Sequence, residues 1–220
     1  MRAVLFGSIG TLAETSELQR AAFNAAFAEA GLGWSWSRET YKRMLIKSGG
    51  RARIAAFARS QQTAVNVDQL HQRKTEIFQE LLSLSKLEAR PGVFDTLQAL
   101  RDANTPISLV TTTSLSNVAQ VLSALELEQG VFDVLVHAGL VQHPKPAPDA
   151  YRFALETLGV PAGDSLAIED NPDGVIAAQT AGVPCIALPG DMHDEGAFPT
   201  GVPMQSHLDV FSHIAQASAA

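Results

Sequence analysis

Glu169 and Asp170 stand side by side in "LAIEDNPDG", directly after three apolar residues. Two carboxylates at the end of a strand suit a hard cation such as Mg²⁺, which accepts oxygen ligands and takes few of them from protein. Helix capping is the competing role, but Asn171 can cap and leave both acids free. Lys145 lies between two prolines in "HPKPAPD". Those prolines restrict the backbone and aim the ammonium, which favours a phosphate or carboxylate contact over a solvated charge. Thr111 closes the apolar run in "LVTTTS", with Thr112 beside it. Hydroxyls and backbone N–H groups at a helix start can hold an anion, although Ser114 also suits capping of the next helix. Together these positions supply an anion-holding hydroxyl, a cation and a metal site.

The elements that must position them follow from the apolar pattern. Five short runs read as buried strands, at residues 3–6, 107–110, 134–136, 165–168 and 185–188. Segments of helical spacing precede and separate the last four: Val93, Leu97 and Leu100 share a face, as do Tyr151, Leu155 and Leu158. Asp149 and Asn171 are the expected caps of two of these helices. Strand and helix alternating in this way predict an α/β fold with a parallel sheet covered on both sides.

Residues 14 to 87, between the first two strands, exceed what a crossover needs and read as all helix. Leu18, Ala22 and Ala26 recur at i+4, and Leu70, Ile77 and Leu81 form a later stripe after Asp68, a possible cap. We expect an all-helical cap domain over 14–87, inserted into a core domain made of 1–13 and 88–220. Gly49, Gly50 and Arg51 in "KSGGRAR" form a turn that is either solvated or a cap loop meeting an anionic substrate.

Composition narrows the function classes. The chain has 220 residues, 46% of them hydrophobic, and a formal net charge of -7. No Lys/Arg block stands out, which argues against nucleic acid and against an anionic membrane surface as partners. No apolar run is long enough for a bilayer, and "MRAVLFGSIG" is too short in its apolar part for a secretory signal. The one cysteine, Cys185, fits a buried thiol in a reducing cytoplasm. "AQASAA" at the C-terminus reads as a frayed helix end.

The turn after the first strand breaks the pattern. In "AVLFGSIGTLAET" the strand end carries Gly7, Ser8, Ile9 and Gly10, with no ionisable side chain where catalytic groups of α/β proteins usually sit. "EDNPDGVIAAQTAGVP", "KPAPDAY", "LVTTTS" and "GTLAETSELQRAAFNAAFAEAGL" nevertheless resemble the motifs of the haloacid dehalogenase superfamily. The likeness covers essentially the whole chain and is to the subgroup of phosphoglycolate phosphatases and β-phosphoglucomutases. The resemblance implies a Rossmann-like core under a helical lid, with phosphoryl transfer through an aspartyl-phosphate. It assigns phosphate binding to Thr111, Thr112 and Lys145, and Mg²⁺ to Glu169 and Asp170. The family's nucleophile and acid/base aspartates would fall at Gly7 and Ile9, and a His of many relatives is here Gln19.

Gly7 has no attacking oxygen and Ile9 carries no proton. The expectation is therefore a protein that has lost aspartyl-phosphate catalysis and binds a phosphorylated metabolite or acts as a regulator, with Mg²⁺ binding weakened. Two alternatives stand beside it: an active hydrolase using metal-activated water or another nucleophile, and an interaction module with a vestigial pocket. Among substitute nucleophiles, Ser8 falls between the motif positions and is expected to point elsewhere, while His137 and His143 are expected at the surface.

Overall fold

The computed structural model describes residues 1–212, so the "AQASAA" segment lies outside the described residues. Strand β1 (Ala3–Phe6) is buried at every position, as a central parallel strand must be. Helices α1 (Ile9–Leu12), α2 (Ser16–Glu29), α3 (Arg38–Met44), α4 (Gly50–Ser60), α5 (Val67–Leu84) and α6 (Val93–Asp102) follow before β2 (Ile107–Val110). Then come α7 (Leu115–Ala124), β3 (Val134–Val136), α8 (Asp149–Leu158), β4 (Ser165–Glu169), α9 (Pro172–Thr180) and β5 (Cys185–Ala187). All strand pairs are parallel, in the order β3-β2-β1-β4-β5.

The period-2 alternation of each strand splits the core into two layers. Val4, Phe6, Leu109 and Ile168 face α6 and α7, packing with Leu97, Leu100 and Val121. Leu5, Ala167 and Cys185 face α8 and α9, packing with Tyr151, Ala154 and Val175. The result is the expected three-layer Rossmann-like fold. β4 runs one residue further than the apolar run suggests, because Glu169 pairs with Ala187 of β5.

The segment between β1 and β2 is helical, and its centre is aromatic. The Phe23 and Trp36 rings lie 4.8 Å apart, and Phe27 meets Trp36 edge-on at 4.7 Å. Asn24 holds the Trp36 backbone at both ends, accepting from its N–H (2.8 Å) and donating to its carbonyl (3.1 Å). Two expected caps are displaced. Asn66, not Asp68, caps α5 through the Gln69 N–H, since Asp68 already lies inside the first turn. Asp149 likewise begins α8 from within and accepts from His143 instead. Ser114 and Asn171 cap α7 and α9 as expected. Among the described residues, no helix is long and apolar enough to cross a membrane.

Candidate active site

The strand order reverses beside β1, whose neighbours β2 and β4 continue in opposite directions along the chain. Crevices at the carboxyl ends of strands at such a reversal are where α/β proteins bind ligands. Gly7 follows β1, Thr111 follows β2, and Glu169 ends β4 with Asp170 after it. The Gly7 N–H donates to the Ile168 carbonyl (2.8 Å) and the Thr111 N–H to the Val136 carbonyl (3.0 Å), so pairing continues into the site.

Lys145 ties these ends together. Its ammonium donates to the Val110 carbonyl (2.7 Å), to Glu169 Oε1 (2.5 Å) and to the Gly7 carbonyl. The side chains of Lys145 and Glu169 are 4% and 0% exposed, so the pair is dry. Tyr151, reaching up from α8, donates its hydroxyl to the same Glu169 oxygen at 2.6 Å. Burial pushes the Glu169 carboxyl up from its ordinary range while Lys145 pulls it back down. Tyr151 is raised well above its ordinary value by burial and then by the Glu169 charge. Glu169 Oε2 is buried without a hydrogen-bond partner. Its carboxylate lies where a Cβ on Gly7 or on Gly174 would fall; Oε2 is 2.6 Å from the Gly7 position.

Asp170 is held differently. Ser8 Oγ donates to Asp170 Oδ1 at 2.6 Å, and Thr11 Oγ1 and Asn171 Nδ2 approach the same oxygen at 3.4 and 3.1 Å. Ser8 is half-buried and caps α1, accepting from the Gly10 (2.9 Å) and Thr11 (3.3 Å) N–H groups. The expectation that Ser8 points elsewhere is thus corrected: the turn after β1 aims its hydroxyl at the acid on β4.

Two parts of the helical segment meet this end of the sheet: Gln79 of α5 donates to Asn117 in α7 (2.9 Å), and a loop reaches α9. The Ser48 N–H donates to Asp173 Oδ2 (2.7 Å) in the first turn of α9. Gly50 packs against the His71 ring and Phe23, leaving no room for a side chain. Burial lowers His71 to about 4, with Lys74 and Arg51 adding to the shift, and burial lowers the neighbouring Lys74 to about 7.

The expected site residues therefore divide. Lys145, Glu169 and Asp170 converge beside Gly7, and Ile9 is buried in the apolar core. Thr111 is buried, but its Oγ1 accepts from the Thr113 N–H (3.2 Å) within its own turn, and Thr112 is half-buried beside it. Arg51 pairs with Asp68 at 3.1 Å on the exposed face of the helical segment. His137 and His143 serve their own turns, taking the Gly139 N–H and meeting Asp149 respectively. The residue pattern does not single out Ser48, Asp173 or the hydroxyl of Tyr151 as parts of a site. Only Tyr151 left a trace in the sequence, as the polar tip of an otherwise apolar helix face.

Residues 4–188 match the family described as haloacid dehalogenase-like hydrolase. The chain belongs to that family. This haloacid dehalogenase-like protein is 40% identical over 204 residues to Protein CbbY of Cereibacter sphaeroides, covering 90% of this chain and 89% of that one. A structure of a CbbY mutant from Rhodobacter sphaeroides in complex with xylulose-1,5-bisphosphate superposes with a TM-score of 0.87 at 37% identity, covering 94% of both chains. The phosphorylated carbohydrates phosphatase of Thermotoga maritima is 28% identical over 186 residues, covering 83% and 82%.

These relatives overturn the expectation that this family member has lost catalysis and serves only for binding, regulation or interaction. The match to the hydrolase family, over residues 4–188, includes this turn. Physically, the lack of ionisable side chains at Gly7 and Ile9 does not dismantle the site, because Lys145, Asp170 and the Ser8 hydroxyl on Asp170 are held in place.

Proposed function

We propose that this protein is a phosphatase acting on phosphorylated sugars, by a route that does not use side chains at positions 7 and 9. The observation that carries this reading is the convergence of Lys145, Glu169, Asp170 and Ser8 at the strand reversal. The likeness to CbbY, one structure of which holds xylulose-1,5-bisphosphate, supports a sugar carrying one or two phosphates as substrate. In this reading residues 14–87 act as the cap over a core of 1–13 and 88–220, and the Gly49–Arg51 turn closes one side of the cleft. Thr111, Thr112 and Lys145 would border the phosphate. The buried single thiol and the acidic surface fit a cytoplasmic enzyme.

The carboxylates fit Mg²⁺ only in part. Glu169 is sealed between two glycines and committed to Lys145 and Tyr151, so it contributes charge rather than a ligand. Asp170 gathers its hydrogen bonds on Oδ1, and Oδ2 is the oxygen it has to offer. One carboxylate oxygen, with phosphate oxygens and water, is a donor set Mg²⁺ accepts. When bound, the ion would neutralise phosphate charge. A single donor from the chain makes its binding in the absence of phosphate weak.

Release of inorganic phosphate from sugar monophosphates and bisphosphates in Mg²⁺ tests the reading. Asp170→Asn, purified identically, exposes any contaminating phosphatase. Release by the wild type at least tenfold above the variant is expected; equal rates would overturn the assignment.

A further inference from the structure

We infer that His193, on the loop after β5, binds the substrate by donating from Nε2 to a phosphoryl oxygen. The inference deepens the phosphatase reading above and rests on it. Its starting point is an unpaired nitrogen. His193 Nδ1 is buried with no hydrogen-bond partner among the described residues. A buried polar atom left unpaired lowers stability, and native folds keep few of them. Phenylalanine would fill the same space without that penalty, so packing alone does not account for a histidine here. Nε2, in contrast, makes no hydrogen bond among the described residues and is not buried. Burial lowers His193 from its ordinary value, which leaves the ring neutral at neutral pH with a single proton. On Nδ1 that proton would be sealed away from any acceptor. On Nε2 it can be donated, so Nε2 is the donor.

The loop fixes the ring beside the site. The Gly190 N–H donates to the Asp170 carbonyl (3.2 Å), and the His193 N–H donates to the Gly190 carbonyl (2.8 Å). A side chain on Gly190 would run into Nδ1, 3.0 Å from the Cβ position, and Phe198 meets the ring edge-on at 6.4 Å. Both linkers of the helical segment, joined by the Ala13–Ala89 bridge, grip the same loop. Glu14 accepts the Asp191 N–H at 2.7 Å, and Arg90 donates to the Leu188 carbonyl and to the Pro189 carbonyl at 2.5 Å. His193 therefore stands where the core, the linkers and the helical segment come together.

The charges around the ring point to an anionic ligand. Asp170 after β4, Glu14 and Arg90 in the linkers, and Arg53 on α4 face it. Asp170 is turned to Ser8, Glu14 is taken by the Ser16 and Asp191 N–H groups, and Arg90 by three carbonyls. Arg53 is left without a counter-ion. Its guanidinium lies 5.3 Å over the Tyr41 ring and donates to the Met44 (3.2 Å) and Lys47 (3.1 Å) carbonyls, with no carboxylate partner among the described residues. A cation held partly out of water is stabilised by an anion brought next to it. A phosphoryl group between Arg53 and His193 meets that need, and a donor bond to its charged oxygen is stronger than one to a neutral acceptor.

The test uses two substitutions, with xylulose-1,5-bisphosphate, the corresponding monophosphate and inorganic phosphate as probes at neutral pH in Mg²⁺. His193→Phe keeps a ring against Phe198 and removes the donor, whereas His193→Gln returns an amide N–H near the place of Nε2. His193→Phe should raise KM for the bisphosphate about tenfold or more, the effect of losing a hydrogen bond to a charged group. Its kcat should change little, as for a contact made equally before and during reaction. His193→Gln should recover most of the loss, and the Tm of His193→Phe should not fall, since Nδ1 has no partner to lose. A calorimetric affinity for inorganic phosphate that weakens in step assigns the contact to the phosphate that is cleaved; an unchanged KM for the monophosphate assigns it to the other. Bisphosphate KM and phosphate affinity both unchanged in His193→Phe would overturn the inference and leave the phosphatase reading intact. A loss that His193→Gln shares in full would make His193 a packing residue. Wild-type release no greater than that of Asp170→Asn would bring down the phosphatase reading alone. The bisphosphate is then not consumed and can be titrated directly: an affinity about tenfold weaker in His193→Phe keeps the contact, and an equal affinity removes it.

Discussion

Glu169 occupies the space that a side chain on Gly7 would need. A Cβ built on Gly7 falls against the Glu169 carboxylate, with Oε2 only 2.6 Å away. The strand end without a carboxylate of its own thus borders that of its neighbour, and Lys145 has an anionic partner at 2.5 Å. The two positions are coupled through volume as well as charge.

Gly7→Ala should therefore destabilise the fold although it adds a single methyl group. Overpacking a closed site costs about 1–3 kcal/mol, which for a chain of this size lowers Tm by roughly 2–12 °C. Glu169→Ala opens the space but strands Lys145. The double variant should be more stable than the sum of the single effects predicts, with a coupling of about 0.5–3 kcal/mol. Denaturant unfolding of the four proteins measures it, and additive effects would mean that the two residues do not compete for space.

Breaking the buried pair from either side should be severe. Lys145→Ala leaves the Glu169 charge facing only Tyr151, and losing one partner of a dry ion pair costs about 3–5 kcal/mol. Replacing both partners by Met should recover most of that stability, because no buried charge is then left alone. Urea midpoints of Lys145→Ala and of the double Met variant decide the point. A double variant as unstable as the single would show that packing, not charge, is the cause.

Much of this architecture was legible in the sequence. Glu169 and Asp170 could be placed because apolar runs fix strand ends, and a strand end fixes where the next residue emerges; Lys145 could be placed because its flanking prolines restrict the backbone just before α8. The direction of Ser8 could not be placed, since it depends on how the turn between β1 and α1 closes around Oγ. Periodicity found Tyr151 as a core residue but was silent about its tip, where the hydroxyl meets Glu169. Arg51 is ambiguous in sequence for a related reason. Its charge suits an anionic ligand, yet the partner that folding brings to it, Asp68, comes from the next helix. Gly7 and Ile9 mark a turn without ionisable groups, and no residue pattern there shows that a hydroxyl is turned toward Asp170.

The loop between the helical segment and the sheet should be held by one hydrogen bond. Asp173→Ala removes the acceptor of the Ser48 N–H, which the structure places at 2.7 Å. Hydrogen exchange at Ser48 should speed up about tenfold or more, with little change in α9 itself, because losses of this kind open structure locally. Unchanged protection at Ser48 would mean that other packing holds the loop shut.

His71 should make stability depend on pH in mildly acidic solution. Burial, reinforced by Lys74 and Arg51, lowers it to about 4, against about 6.5 for a free histidine. Arg53 adds to the lowering and Asp68 alone opposes it, so the groups facing the ring leave it neutral in the fold. Between those two values the unfolded chain binds more protons than the folded one, and stability must rise with pH. The contribution is complete above about pH 6.5 and fades as pH falls toward about 4. His71→Gln has no such proton to gain on unfolding. Its urea midpoint should drop less than that of the wild type between about pH 7 and about pH 4.5, with the two curves converging in slope at neutral pH. Parallel curves across the whole range would mean that His71 titrates alike in the folded and unfolded chains, and that Lys74 and Arg51 do not act on it.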